Sequence, residues 1–145
     1  MTTKHLKESV EKSIKLFVKK DFDLLELKVY EPAVSHRIAF YLEKYFFPSN
    51  VNIDCEYDKY FDQEKPGPNG KSMRPDIVVH TRNSQGNNKI AIEIKKERNN
   101  KYDIEKLKIL TASNGLYRYD LGVFINFPNS EAKYKWFVDG KEELL

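Results

Sequence analysis

The chain has 145 residues, the length of one ordinary domain, with 40% hydrophobic, 32% charged and 13% aromatic residues. That composition excludes a disordered chain, and no run of ~18 apolar residues exists to cross a membrane. The net charge of +3 is too small to imply a nucleic-acid partner by bulk attraction, and a lone cysteine, Cys55, excludes a disulfide framework or a Cys-rich zinc site.

The first twenty residues are charged throughout and lack an apolar signal core, so the expectation is a cytoplasmic protein. Leu6, Val10, Ile14, Phe17 and Val18 recur at helical spacing, predicting an amphipathic helix over about 4–20. Its six lysines against Glu8 and Glu11 form a solvated face or, as the minority reading, a phosphate-facing patch. Residues 21–30 are ambiguous. Pro32 suits a first helical turn, and Val34, Ile38, Tyr41, Leu42 and Tyr45 make an apolar stripe over 33–47, stopped by Pro48. Glu31 then sits at the helix start, where the dipole favours a carboxylate.

Val51, Ile53, Cys55 and Tyr57 alternate with polar residues, predicting a half-buried strand over 51–57. Residues 62–71 carry Pro66, Gly67, Pro68, Asn69 and Gly70 and read as a loop. Strands follow at 75–80 and 90–95, joined by a polar turn at 82–88. A helix is expected over 102–112, ended near Asn114-Gly115, and a buried strand over 121–127. Residues 130–138 fit either a short helix or a final strand. The fold expected is α/β, a mixed central β-sheet flanked by α-helices, with all of 1–145 as a single domain.

Several motifs fail on inspection. Asn69-Gly70-Lys71-Ser72 resembles the end of a phosphate-binding loop, but Lys65 stands where the first glycine belongs. Asp54, Glu56 and Asp58 imitate a calcium loop, but Lys59 replaces its glycine, and a charged, exposed strand face is the simpler reading. His5, His36 and His80 lack metal-ligand spacing, and no Gly-x-Ser-x-Gly nucleophile turn exists.

One constellation survives. Thirteen glutamates and twenty lysines make roughly two Glu-x-Lys triplets expected by chance. Glu26/Lys28 and Glu131/Lys133 are such triplets, but only Glu93/Lys95 lies in a strongly apolar strand. Alternation puts Glu93 and Lys95 on one face with Ala91, and Ile90, Ile92 and Ile94 on the other. A hairpin centred near Gln85-Gly86 sets Asp76 opposite Lys95, and Glu93 diagonal to Asp76 at ~7–8 Å. Two carboxylates and an ammonium then converge on one sheet face. Carboxylates so placed repel, and a hard divalent cation relieves the repulsion. Lys95 would lie near a metal-bound water. The plainer alternative is an Asp–Lys–Glu ion network on a sheet face.

Arg74-Pro75-Asp76-Ile77-Val78-Val79, followed by Ala91-Ile92-Glu93-Ile94-Lys95-Lys96, resembles the PD-(D/E)XK nuclease superfamily, which includes restriction endonucleases and archaeal Holliday-junction resolvases. The likeness extends to the order of elements over about 31–127, with 1–30 as an N-terminal helical extension. It implies a restriction-endonuclease-like fold and a Mg2+- or Mn2+-dependent endonuclease acting on nucleic acid, with DNA the expected partner. Asp76 and Glu93 would bind the metal, with the Ile94 carbonyl a further ligand, and Lys95 would orient or activate water. Members often carry a glutamate on the preceding helix, a place that Glu31 occupies; it either joins the site or only caps its helix. Lys106 would face a phosphate or, more ordinarily, be a solvated helix charge. Lys71, Arg74, Lys96, Arg98 and Lys101 are candidates for holding a nucleic-acid backbone. Tyr57, Tyr60 and Phe61 either stack on bases or pack in the core. A twofold homodimer, with Phe46, Phe47, Tyr117 or Trp136 at its interface, is the simplest way for so small a domain to cut both strands. The alternative is a catalytically silent fold of the same kind that binds nucleic acid or protein.

Overall fold

The computed structural model describes residues 1–27, 31–47, 50–57, 59–60, 63–64, 73–82, 86–95 and 101–144, with backbone alone at 59–60 and 63–64. The loop expected over 62–71 falls mostly outside these residues, as do Pro48, Phe61 and the side chain of Tyr60.

Helix α1 spans Thr3–Glu26, capped by the Thr2 side chain, which accepts a hydrogen bond from the His5 N–H at 3.2 Å. Leu6, Val10, Ile14 and Phe17 form its buried stripe, so the periodicity marks the core-facing side. The helix outruns its expected end through a non-helical residue, Asp21, before Leu25 packs inward. Asp21 is anchored there, accepting from the Tyr41 hydroxyl and from Arg37 Nε at 3.2 Å. Helix α2 is Glu31–Tyr45 and buries Val34, Ile38, Tyr41 and Leu42 against α1 and the sheet.

The strands are β1 (Asn52–Cys55), the short pair β2 (Lys59–Tyr60) and β3 (Gln63–Glu64), β4 (Ile77–His80), β5 (Ile90–Lys95), β6 (Leu121–Asn126), β7 (Lys133–Val138) and β8 (Lys141–Glu142). Helix α3 (Lys101–Thr111) connects β5 to β6. Six strands form a sheet in the order β1-β4-β5-β6-β7-β8, and β2 pairs with β3 separately. Only β5 and β6 are parallel; the other neighbours are antiparallel. The class is therefore α/β with a mixed sheet, as expected. The even–odd pattern of the strands divides the core. Ile77, Val79, Ile90, Ile92, Ile94, Leu121, Val123 and Ile125 pack with α1 and α2. Val78, Ala91, Phe124 and Phe137 pack with Leu107 and Leu110 of α3.

The region left open at 130–138 becomes a 3-10 turn, Pro128–Ser130, and then β7. Strand β8 turns back on β7 through Asp139-Gly140, both at positive φ (50° and 74°). Asp-Gly suits that two-residue hairpin, and glycine supplies the left-handed backbone without a Cβ clash. Tyr117 and Phe47, considered as interface aromatics, are buried in the core, and Phe46 and Trp136 are partly buried. No helix among the described residues is long and apolar enough to cross a membrane.

Candidate metal and phosphodiester site

Pro75 lacks an N–H, so the β4 ladder begins only at Ile77. Strand β5 continues past that point, and Ile94 donates its N–H to Asp76 Oδ2 at 2.7 Å. The Asp76 carboxylate is thus fixed at the open end of the β4–β5 ladder. The observed pairs Ile77↔Ile92, Val78↔Ala91 and Val79↔Ile90 correct the expected register by two residues. Continued by one step, this register sets Glu93, not Lys95, across from Asp76. Beyond these pairs the Thr81 N–H donates to the Asn87 carbonyl at 3.1 Å. A slip of two preserves the parity of every side chain, so Asp76, Glu93 and Lys95 still share the α3 face.

Glu93 is 2% exposed. Its Oε2 lies 2.8 Å from Lys106 Nζ, an ion pair rather than a well-aimed hydrogen bond. Burial, and then the neighbouring Asp76, push the Glu93 carboxyl well above the usual carboxylate range, against the opposing pull of Lys106. Burial also raises Asp76, partly offset by the Ile94 N–H.

Lys95 Nζ stands 3.7 Å from Glu31 Oε2 and 3.8 Å from Asp103 Oδ2. Burial alone would lower its pKa; Asp103 and Glu31 outweigh that and raise it. Glu31 is therefore brought to Lys95 from the start of α2, beyond any helix-capping role. Asp103, which the sequence reading missed, is buried on α3 and also lies 3.6 Å from Lys106. Its only sequence signal was the i,i+3 pairing with Lys106 on the helix after the motif.

Lys106 corrects the solvated-charge expectation, being 6% exposed and turned inward. Besides Glu93 and Asp103 it donates to the Arg74 carbonyl at 3.3 Å. Burial lowers its pKa, but Glu93, with Asp103 and Asp76, more than compensates and the net shift is upward. Arg74 itself points outward, 3.9 Å from Glu56. Lys101 is exposed, while Lys71, Lys96 and Arg98 lie outside the described residues. Tyr57 is half-buried, with its ring 4.6 Å from that of His80.

Four carboxylates (Glu31, Asp76, Glu93, Asp103) thus surround two ammoniums (Lys95, Lys106), a formal excess of two negative charges. Beside them a cavity of about 340 Å³ is lined by Glu31, Pro32, Ser35, Cys55, Glu56 and Asp76. Cys55 is exposed as a residue, yet burial around its thiol and the nearby carboxylates push it up to about 11, so it is not a thiolate nucleophile. Asp54 also departs from the exposed-face reading: it accepts from His80 Nε2 at 2.7 Å and Arg82 Nε at 2.9 Å.

Among the described residues, no three His, Cys, Asp or Glu groups gather closely enough to hold a metal ion by themselves. A magnesium ion needs fewer, since it commonly uses one or two carboxylates and retains its waters. Asp76 and Glu93 supply that number, and Glu93 Oε2 and Asp103 Oδ2 are buried oxygens without hydrogen bonds. Asp76 and Glu93 are the residues that could hold a magnesium or manganese ion, with Lys106 Nζ now standing 2.8 Å from Glu93 Oε2. No family model, curated protein or solved structure matches this chain.

Proposed function

We propose that this chain is a divalent-metal-dependent nuclease with a restriction-endonuclease-like fold, hydrolysing phosphodiester bonds in nucleic acid, DNA being the expected substrate. The observation that carries this reading is the meeting of Asp76 and Glu93 at the end of the β4–β5 ladder. Lys95 stands on the same face, among four carboxyl groups and one other ammonium.

In this reading Asp76 and Glu93 hold Mg2+ or Mn2+, with the Ile94 carbonyl as a further ligand. The ion supplies charge neutralisation at the attacked phosphate and a more acidic water. The Ile94 N–H fixes the rotamer of Asp76. Lys95 remains an ammonium, because Asp103 and Glu31 raise its pKa. It therefore acts by orienting water and stabilising charge, not as a general base at neutral pH. Arg74, which points outward, contacts phosphate at the rim. A silent binding module is the second reading, favoured by the way Lys106 already compensates Glu93.

Nicking of supercoiled plasmid in Mg2+ and then Mn2+ separates the two. Wild type should cut, and Glu93→Ala and Lys95→Ala should each lose at least ~100-fold in rate. Cutting that persists in both variants refutes this site. Salt-sensitive DNA binding without cutting selects the silent module.

A further inference from the structure

We propose that Lys106 is an internal counterion that a divalent cation must displace from Glu93, and that Asp103 receives the displaced ammonium; this rests on the metal-binding reading above. Lys106 Nζ stands 2.8 Å from Glu93 Oε2 and both side chains are buried. A cation bound by Asp76 and Glu93 would share that oxygen with the ammonium. Like charges so close, away from bulk water, repel strongly. Glu93 is fixed on a central strand, whereas lysine carries its charge on a flexible stem. The ammonium is therefore the group that moves.

A receiver is already in place. Asp103 lies one turn before Lys106 on α3, with Oδ1 3.6 Å from Nζ. Its other oxygen, Oδ2, is buried and accepts no hydrogen bond, and it lies 3.8 Å from Lys95 Nζ, so Asp103 would hold both ammoniums. The ring of Tyr102, 5.5 Å from Nζ, offers the ammonium a second favourable surface. The movement thus leaves no buried charge unpaired: Glu93 exchanges an ammonium for the metal, and Lys106 exchanges Glu93 for Asp103. Without metal, the same lysine lies against Glu93 in the folded chain.

Mn2+ binding to the full chain, measured by calorimetry and by the loss of free-Mn2+ paramagnetic signal, tests this without reference to cutting. Lys106→Met should bind Mn2+ at least ~10-fold more tightly than wild type, because the competing charge is gone. Asp103→Asn should weaken binding several-fold in wild type but much less in the Lys106→Met background, since its role runs through the lysine. Equal or weaker binding by Lys106→Met, with wild type still binding, overturns the counterion while leaving the metal site standing. Absence of Mn2+ binding by both folded proteins overturns the two together. If Lys106→Met does not fold, wild type labelled with 15N-lysine decides: the Lys106 ammonium resonance must shift in step with Mg2+ occupancy. A resonance unmoved at saturation refutes the exchange.

Discussion

At Glu93, burial opposes ionisation more than Lys106 favours it, and the carboxyl titrates well above its ordinary range. The folded chain then holds a proton that the unfolded chain has released. Stability must therefore fall as pH rises from the ordinary carboxylate range through the folded pKa. Lys106, whose pKa is raised, contributes stability that is present below the ordinary lysine range and lost as pH rises through its folded pKa. Urea unfolding at pH 5 and pH 8 should show Glu93→Gln gaining on wild type toward pH 8, by about 1.4 kcal/mol per unit of pKa elevation crossed. A pH-independent difference would mean that Glu93 ionises normally in the fold. Asp54 titrates in the opposite sense. Although burial pushes it up, Arg82 and His80 hold it below the usual range, so its contribution is present at neutral pH and fades in acid.

The placement of α3 against the sheet decides which of its residues reach the site. Leu107 and Leu110 pack on the Val78, Ala91 and Phe124 face, and that rotation turns Asp103 and Lys106 toward Glu93 and Lys95. Gly122 on β6 permits the close approach. A Cβ there would meet Thr111 Cγ2 at 2.9 Å and Phe137 Cβ at 3.3 Å. Gly122→Ala should destabilise by ~1–3 kcal/mol, since Thr111 belongs to a helix packed between sheet and turn. Under the proposed metal-binding function, the same change should raise the Mn2+ concentration needed for half-saturation, by lifting α3 from Glu93 and Lys95. A variant as stable as wild type would show that α3 has room to move. The Thr111 hydroxyl also accepts from the Gly140 N–H at 3.1 Å, tying the β7–β8 turn to the end of this helix. The sequence reading stopped at 138 without this hairpin, and its docking on α3 joins residues distant in sequence.

Across the molecule, α1 is part of the core. Leu6, Val10, Ile14 and Phe17 are all buried, and Phe17 packs on Phe127, just beyond β6, with ring centroids 5.8 Å apart. Phe17→Ala should cost ~3–5 kcal/mol by thermal or urea unfolding. Removal of residues 1–27 should leave a chain that does not fold cooperatively, because one face of α2 and of the sheet would lose its cover. A stable, cooperative truncated chain would show that the helix is only an appendage.

Local pattern alone was enough for much of this protein. Period-two alternation in 90–95 assigned Glu93 and Lys95 to one face, helical spacing located the buried stripe of α1, and Pro32 marked the start of α2. These are properties of neighbouring residues, and a two-residue error in strand register left them intact. The inward turn of Lys106, the role of Asp103, the reach of Glu31 to Lys95 and the pairing of Asp54 with His80 and Arg82 needed the tertiary structure. Each depends on how separate elements are rotated and spaced, and nothing within a single helix or strand encodes that distance. The same division holds within the charge cluster: Asp76 and Glu93 could be read along the chain, but the charges that oppose and balance them were set by packing.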